Sequence, residues 1–139
     1  QRTKEGKESL YARNRLVVAS KAAGIQPIDS VFSDVGDMEG LLNNVLSAKA
    51  MGFEGMGCIH PRQIAVIREG FSPSPQELEK AKKIVIAYRD ALEKGLGVVA
   101  LGTKMIDPPV VARAEKTITL AVRLGLLPEN WIDLEESKN

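Results

Sequence analysis

Residues 97–111, GVVALGTKMIDPPVV, decide how this chain folds. A β-prone apolar run, Val98 to Leu101, leads through a Gly-marked turn to one acidic residue, Asp107, and Pro108 and Pro109 then open a helical pattern. Proline suits the first turn of a helix, and the residue before a proline is pushed out of the α region. Asp107 is therefore expected at a helix start. There a carboxylate either caps free N–H groups or is held out toward a ligand, and local sequence alone favours the cap.

Working outward, the spacing predicts helices and strands in alternation. Leu10, Leu16, Val17, Ala19 and Ala23 keep helical spacing up to Gly24, a good C-terminal stop. Pro27 to Ser33 alternates and is β-branched, which reads as a strand, and Asp34 to Gly40 is an acidic loop. Met38 to Met51 forms a second amphipathic helix stopped at Gly52, and Gly55 to Ile59 a second strand. Arg62 to Glu69 is helical, with Gly70 as its stop. Ser74, Pro75 and Glu77 then have capping-box spacing ahead of the strongest helical pattern, Leu78 to Leu92. Val98 to Leu101 is the third strand and Pro108 to Leu124 the last helix; after Pro128 the tail carries Trp131 and a charged end, Glu135 to Asn139, expected to be mobile. Strands separated by such helices require right-handed crossovers and a parallel sheet. The fold class is α/β. The strand–helix units repeat at the length of a (β/α)8 barrel, of which three would be less than half.

Composition excludes several function classes. The 139 residues carry a formal charge of +1 and 4% aromatics, so neither a basic footprint nor a stacking platform for nucleic acid is present. With 44% hydrophobic and 27% charged residues the chain reads as globular, and no apolar run reaches the length of a membrane span. Cys58 is the only cysteine, which rules out an internal disulfide and a cysteine zinc site and fits a reducing, cytoplasmic location. The opening Gln1-Arg2-Thr3 is neither a signal peptide nor an initiator Met, so a longer parent chain is expected.

His60, the one histidine, falls where the second strand meets its loop, on the ligand-binding edge of a parallel α/β protein. Its alternative role is to stiffen the loop before Pro61, and a single His makes no metal site. Asp29, Asp34, Asp37 and Glu39 offer the oxygens that Mg2+ prefers, although such Asp-Gly loops are commonly turns and caps, and Asp37 is a natural N-cap. Gly97 to Lys104 fails as a phosphate loop, because Thr103 and Lys104 stand in the wrong order. Lys80, Lys82, Lys83 and Arg89 read as a solvated face.

Three segments resemble the citrate lyase β subunit, within the HpcH/HpaI aldolase and citrate lyase grouping. They are ARNRLVVASKAAGIQPIDSVFSDVGDMEG (12–40), GFEGMGCIHPRQIAVIREGFSPSP (52–75) and GLGVVALGTKMIDPPVVARA (95–114). The resemblance implies the C-terminal half of a (β/α)8 TIM barrel, with barrel units over 1–95 and a last strand, lid helix and tail over 96–139. It implies a Mg2+-dependent retro-Claisen cleavage of a citryl thioester, on CoA or an acyl carrier protein, to oxaloacetate and an acetyl thioester. Citramalyl-CoA and malyl-CoA lyases share the segments and are the enzymatic alternatives; a truncated, non-catalytic association module is the alternative of another class. Asp107 matches the catalytic acid–base position, delivered to a neighbouring subunit. Ile59, His60 and Pro61, with Asp34 in the loop Ser33 to Gly36, match segments lining the thioester. The metal-binding carboxylates of the family lie upstream of Gln1, so no metal ligand is expected in this chain. A homo-oligomer (trimer or hexamer) and citrate lyase α and γ subunits are the implied protein partners. Met56 stands where most of the family has Lys.

Overall fold

The computed structural model describes residues 3, 6–96, 99–102 and 104–137. Val98, expected to start the third strand, and Thr103 lie outside the described residues, as do Gln1 and the last two residues of the tail. The chain divides into two compact units, Gln1–Phe71 and Ser72–Asn139. The helix that follows Ser74 belongs with the C-terminal elements because its apolar face packs on them.

In the first unit a 3-10 turn, Lys7–Ser9, leads into α1, Leu10–Ala22. Strand β1, Ile28–Asp29, pairs in parallel with β2, Gly55–Met56, with Ile28 opposite Gly55 and Asp29 opposite Met56. The crossover is α2, Met38–Met51, and α3, Gln63–Phe71, follows β2. Both strands are shorter than the apolar runs predicted. Beyond Asp29 and Gly57 the backbone turns to side-chain partners instead of a ladder. Leu41 and Val45 of α2 are fully buried and cluster with Met56, while Val17 of α1 packs with Ala48 and Phe53. Met56 is thus a core residue at the end of β2. Gly70 does not stop α3; it is buried one residue before the helix ends. A Cβ there would lie 2.5 Å from Val45 Cγ1, so the glycine permits α2 and α3 to approach.

The second unit contains α4, Pro75–Glu93, strands β3, Val99–Leu101, and β4, Lys104–Ile106, then α5, Pro108–Arg123, and α6, Trp131–Glu136. Ser74 and Glu77 close the expected capping box: Glu77 N donates to Ser74 Oγ (3.2 Å) and Ser74 N to Glu77 Oε2 (2.8 Å). The third strand is corrected. β3 pairs antiparallel with β4 in a hairpin, Val99 opposite Ile106, rather than joining a parallel sheet. Gly102, with φ 60, supplies the positive φ that tight hairpin turns demand.

α4 and α5 share a core of Ala81, Ile84, Ile106, Val111, Ala114 and Ile118, joined by Leu127 and Trp131. Each large apolar side chain so buried contributes roughly 1.5–3 kcal/mol. Trp131 is 6% exposed and anchors α6, and Glu135, in the end expected to be mobile, lies within that helix. Lys82 is no solvated cation, since its Nζ donates to Glu79 (2.9 Å) and to Glu135 of α6 (3.2 Å). The Glu79 bond raises its pKa above the ordinary lysine value, burial works against this, and Glu135 adds to the rise.

Gly70→Ala tests the α2–α3 contact. The variant is expected to lose about 1–3 kcal/mol of unfolding free energy in chemical denaturation, the usual cost of overpacking. An unchanged midpoint would mean that the helices part freely.

Candidate functional site

Parallel pairing puts the C-terminal ends of β1 and β2 on one edge, and the loops that follow them carry Asp34 and the Ile59-His60-Pro61 segment. The strands continue to meet for one residue past the ladder, where Gly57 N donates to Asp29 O (3.1 Å). A side chain at Gly57 would not fit, since its Cβ would stand 2.8 Å from Val31 Cγ1.

Beneath this edge lies a buried ion pair. Asp29 is 6% exposed, and both of its oxygens accept from the Arg13 guanidinium, Oδ1 from Nε (3.2 Å) and Oδ2 from Nη2 (2.5 Å). Oδ1 also accepts from Ser30 N at 2.9 Å. Two-point contact with a planar guanidinium is the strongest geometry available to a carboxylate. Arg13 in turn sits 5.6 Å above the Phe53 ring. Sequence reasoning grouped Asp29 with possible metal ligands and passed over Arg13. Only the packing of α1 on β1 brings the two together.

Each predicted edge residue has a local structural role. His60 Nδ1 accepts from Arg62 N (3.2 Å), and its carbonyl accepts from Gln63 N (2.9 Å) and Cys58 Sγ (3.2 Å). With Nδ1 accepting, the neutral ring carries its proton on Nε2. Asp34 Oδ1 accepts from Gly36 N (3.0 Å) and Asp37 Oδ1 from Gly40 N (2.9 Å), a turn and a helix cap. Ile59 is half exposed. A residue missed by sequence reasoning binds the edge together. Gln63, 0% exposed, donates from Nε2 to Phe32 O (2.8 Å) and accepts at Oε1 from Ile59 N (3.1 Å).

In the second unit Asp107 is the N-cap of α5. Its Oδ1 accepts from Val110 N (3.1 Å), and its carbonyl accepts from Val110 N and Val111 N. Ile106, 2% exposed, fixes the strand end before it, so the carboxylate is held at a defined helix terminus. Among the described residues no cluster of three or more His, Cys, Asp or Glu could hold a metal ion. Asp29 is taken up by the ion pair with Arg13, and Asp34 and Asp37 each place one oxygen in a turn and a helix cap. Nor is any helix among the described residues long and apolar enough to cross a membrane.

Residues 1–61 match the family model described as HpcH/HpaI aldolase/citrate lyase. The chain is 42% identical over 122 residues to the mitochondrial citramalyl-CoA lyase of Homo sapiens, covering 88% of this chain and 36% of that protein. It is 38% identical over 129 residues to the citrate lyase subunit beta of Escherichia coli, covering 93% of this chain and 43% of the relative. The chain thus spans about two-fifths of the length of these curated relatives. A crystal structure of CitE from Mycobacterium tuberculosis, in complex with magnesium, acetoacetate and coenzyme A, superposes with a TM-score of 0.73. The two are 32% identical, with 86% of this chain and 45% of that one covered.

The Asp29 pair predicts a specific fragility. Arg13→Met leaves a buried carboxylate without its cation and is expected to remove about 3–5 kcal/mol of stability in urea titration. Double replacement with Asp29→Leu should recover much of that loss.

Proposed function

Because the chain belongs to the HpcH/HpaI aldolase/citrate lyase family, we propose that it forms part of an acyl thioester carbon–carbon lyase. The observation that carries the reading is similarity of 38–42% over 88–93% of the chain to two named lyases. It is joined by one carboxylate, Asp107, held at a helix start after a strand.

The leading substrate is a citryl thioester on CoA or an acyl carrier protein, cleaved to oxaloacetate and an acetyl thioester. In that retro-Claisen step the bond between the carbinol carbon and the acetyl carbon breaks, and its electron pair stays on the thioester enolate. The carbinol oxygen releases its proton to solvent and becomes the carbonyl of the 2-oxo acid, while the enolate carbon takes up one proton, so the substrate splits with no net change in protons. Asp107 is assigned the proton transfer at the enolate carbon. The α5 N-terminus holds one of its oxygens and so fixes its direction. The edge loops with Asp34, Ile59, His60 and Pro61 are assigned to the wall of the thioester cleft, where Ile59 offers apolar surface and the stiffened loops hold shape. Citramalyl-CoA is the second reading, favoured by the 42% identity to that lyase; it differs only in the 2-oxo acid released.

Magnesium belongs to this reading, with ligands in a part of the full-length enzyme outside this chain. The same fuller chain would complete a (β/α)8 barrel in which the α5 region acts as a lid on a neighbouring subunit. Parallel strands are normally covered on both faces, yet Ile28 is 53% and Val31 44% exposed, which supports further strands and helices there. A homo-oligomer, trimeric or hexameric, with α and γ subunits as further partners and a cytoplasmic location, completes the proposal.

Asp107→Asn in the full-length enzyme separates chemistry from capping, because Asn caps a helix as well as Asp does. Cleavage is expected to fall by about a hundredfold or more while thioester affinity is retained. Unchanged turnover would remove Asp107 from the mechanism. A panel of citryl, citramalyl and malyl thioesters then identifies the substrate. The isolated 139-residue chain is expected to show no Mg2+-dependent cleavage in the same assay.

A further inference from the structure

Gln63 has no exposed surface, yet it opens α3 at the edge of the unit. A buried amide is costly unless both of its ends are bonded. Gln63 satisfies them on the main chains of two different loops. Phe32 O can only accept and Ile59 N can only donate, which fixes Nε2 toward the first and Oε1 toward the second. The backbone of Gln63 adds a third tie, N to His60 O at 2.9 Å. One residue thus ties the loop after β1 to the loop after β2, beyond the point where the strand ladder has ended. The loops it joins are those that carry Asp34 on one side and Ile59, His60 and Pro61 on the other.

We infer that Gln63 is a positioning residue for thioester binding. It touches no substrate; it sets the distance between the Phe32–Asp34 wall and the Ile59–Pro61 wall, so that Ile59 and the flanking main chain meet the acyl carrier in one arrangement. This rests on the assignment of those loops to the thioester cleft. Asp107 and its proton transfer are outside the clamp, so loosening it weakens substrate capture more than turnover.

Two substitutions in the full-length enzyme test this. Gln63→Glu keeps an acceptor for Ile59 N but sets an oxygen against Phe32 O. Gln63→Met keeps the length of the side chain and removes both bonds. In each, KM for the cleaved thioester is expected to rise about tenfold or more while kcat changes less than about threefold. In the free protein, hydrogen exchange at the Ile59 amide is expected to quicken about tenfold or more in Gln63→Met. A folded variant with unchanged KM, or a fall in kcat at constant KM, overturns the inference. So does failure of both variants to fold, which would make Gln63 a stability residue. If Gln63→Met alone fails to fold, the kinetics of Gln63→Glu decide. If the unsubstituted enzyme cleaves none of the three thioesters, the functional reading fails by itself, and Ile59 exchange still reports whether the clamp exists.

Discussion

A parallel pairing of Ile28–Asp29 with Gly55–Met56 is too short to hold two long loops in place by ladder bonds alone. The first unit depends on what replaces that ladder. Below the edge, Arg13 of α1 grips the Asp29 carboxylate at two points and stacks over Phe53. Above it, the Gln63 amide joins Phe32 to Ile59. Both devices bury polar groups that would be expensive unpaired, so each tolerates only one arrangement of its surroundings. Specificity of loop geometry is what such networks contribute, more than stability.

The second unit holds one carboxylate at a helix start. Asp107 follows a strand end buried at Ile106 and precedes two prolines that set the helix direction. Its cap bond to Val110 N anchors one oxygen and restricts the rotamers of the side chain. The cap leaves the second oxygen outside that bond, so capping is compatible with the proton transfer proposed for the same side chain.

What was legible in the sequence was local. Ser74 with Glu77, Asp37 before α2 and Asp107 before α5 all appear as caps, since each needs only neighbours within four residues. The parallel β1–β2 pair also followed from apolar runs separated by a helix. The hairpin did not: Lys104–Ile106 is three residues of mixed character, and the Gly102 turn resembles any strand exit. Gly70 looked like a stop because sequence records a missing side chain but not the Val45 methyl that requires it. Lys82 was assigned to solvent for the same reason, as its partner Glu135 is distant along the chain. Gln63 gave no signal at all, because two main-chain atoms from separate loops define its role.

Cys58 gives the edge a further property. It is the sole thiol of the chain, it is exposed, and its Sγ bonds to the carbonyl of His60 within the segment that Gln63 secures. A maleimide fluorophore or spin label attached there would occupy a single position without any prior mutagenesis. Its mobility would track the order of the adjoining backbone directly, turning the one cysteine into an intrinsic handle for watching this rim in solution.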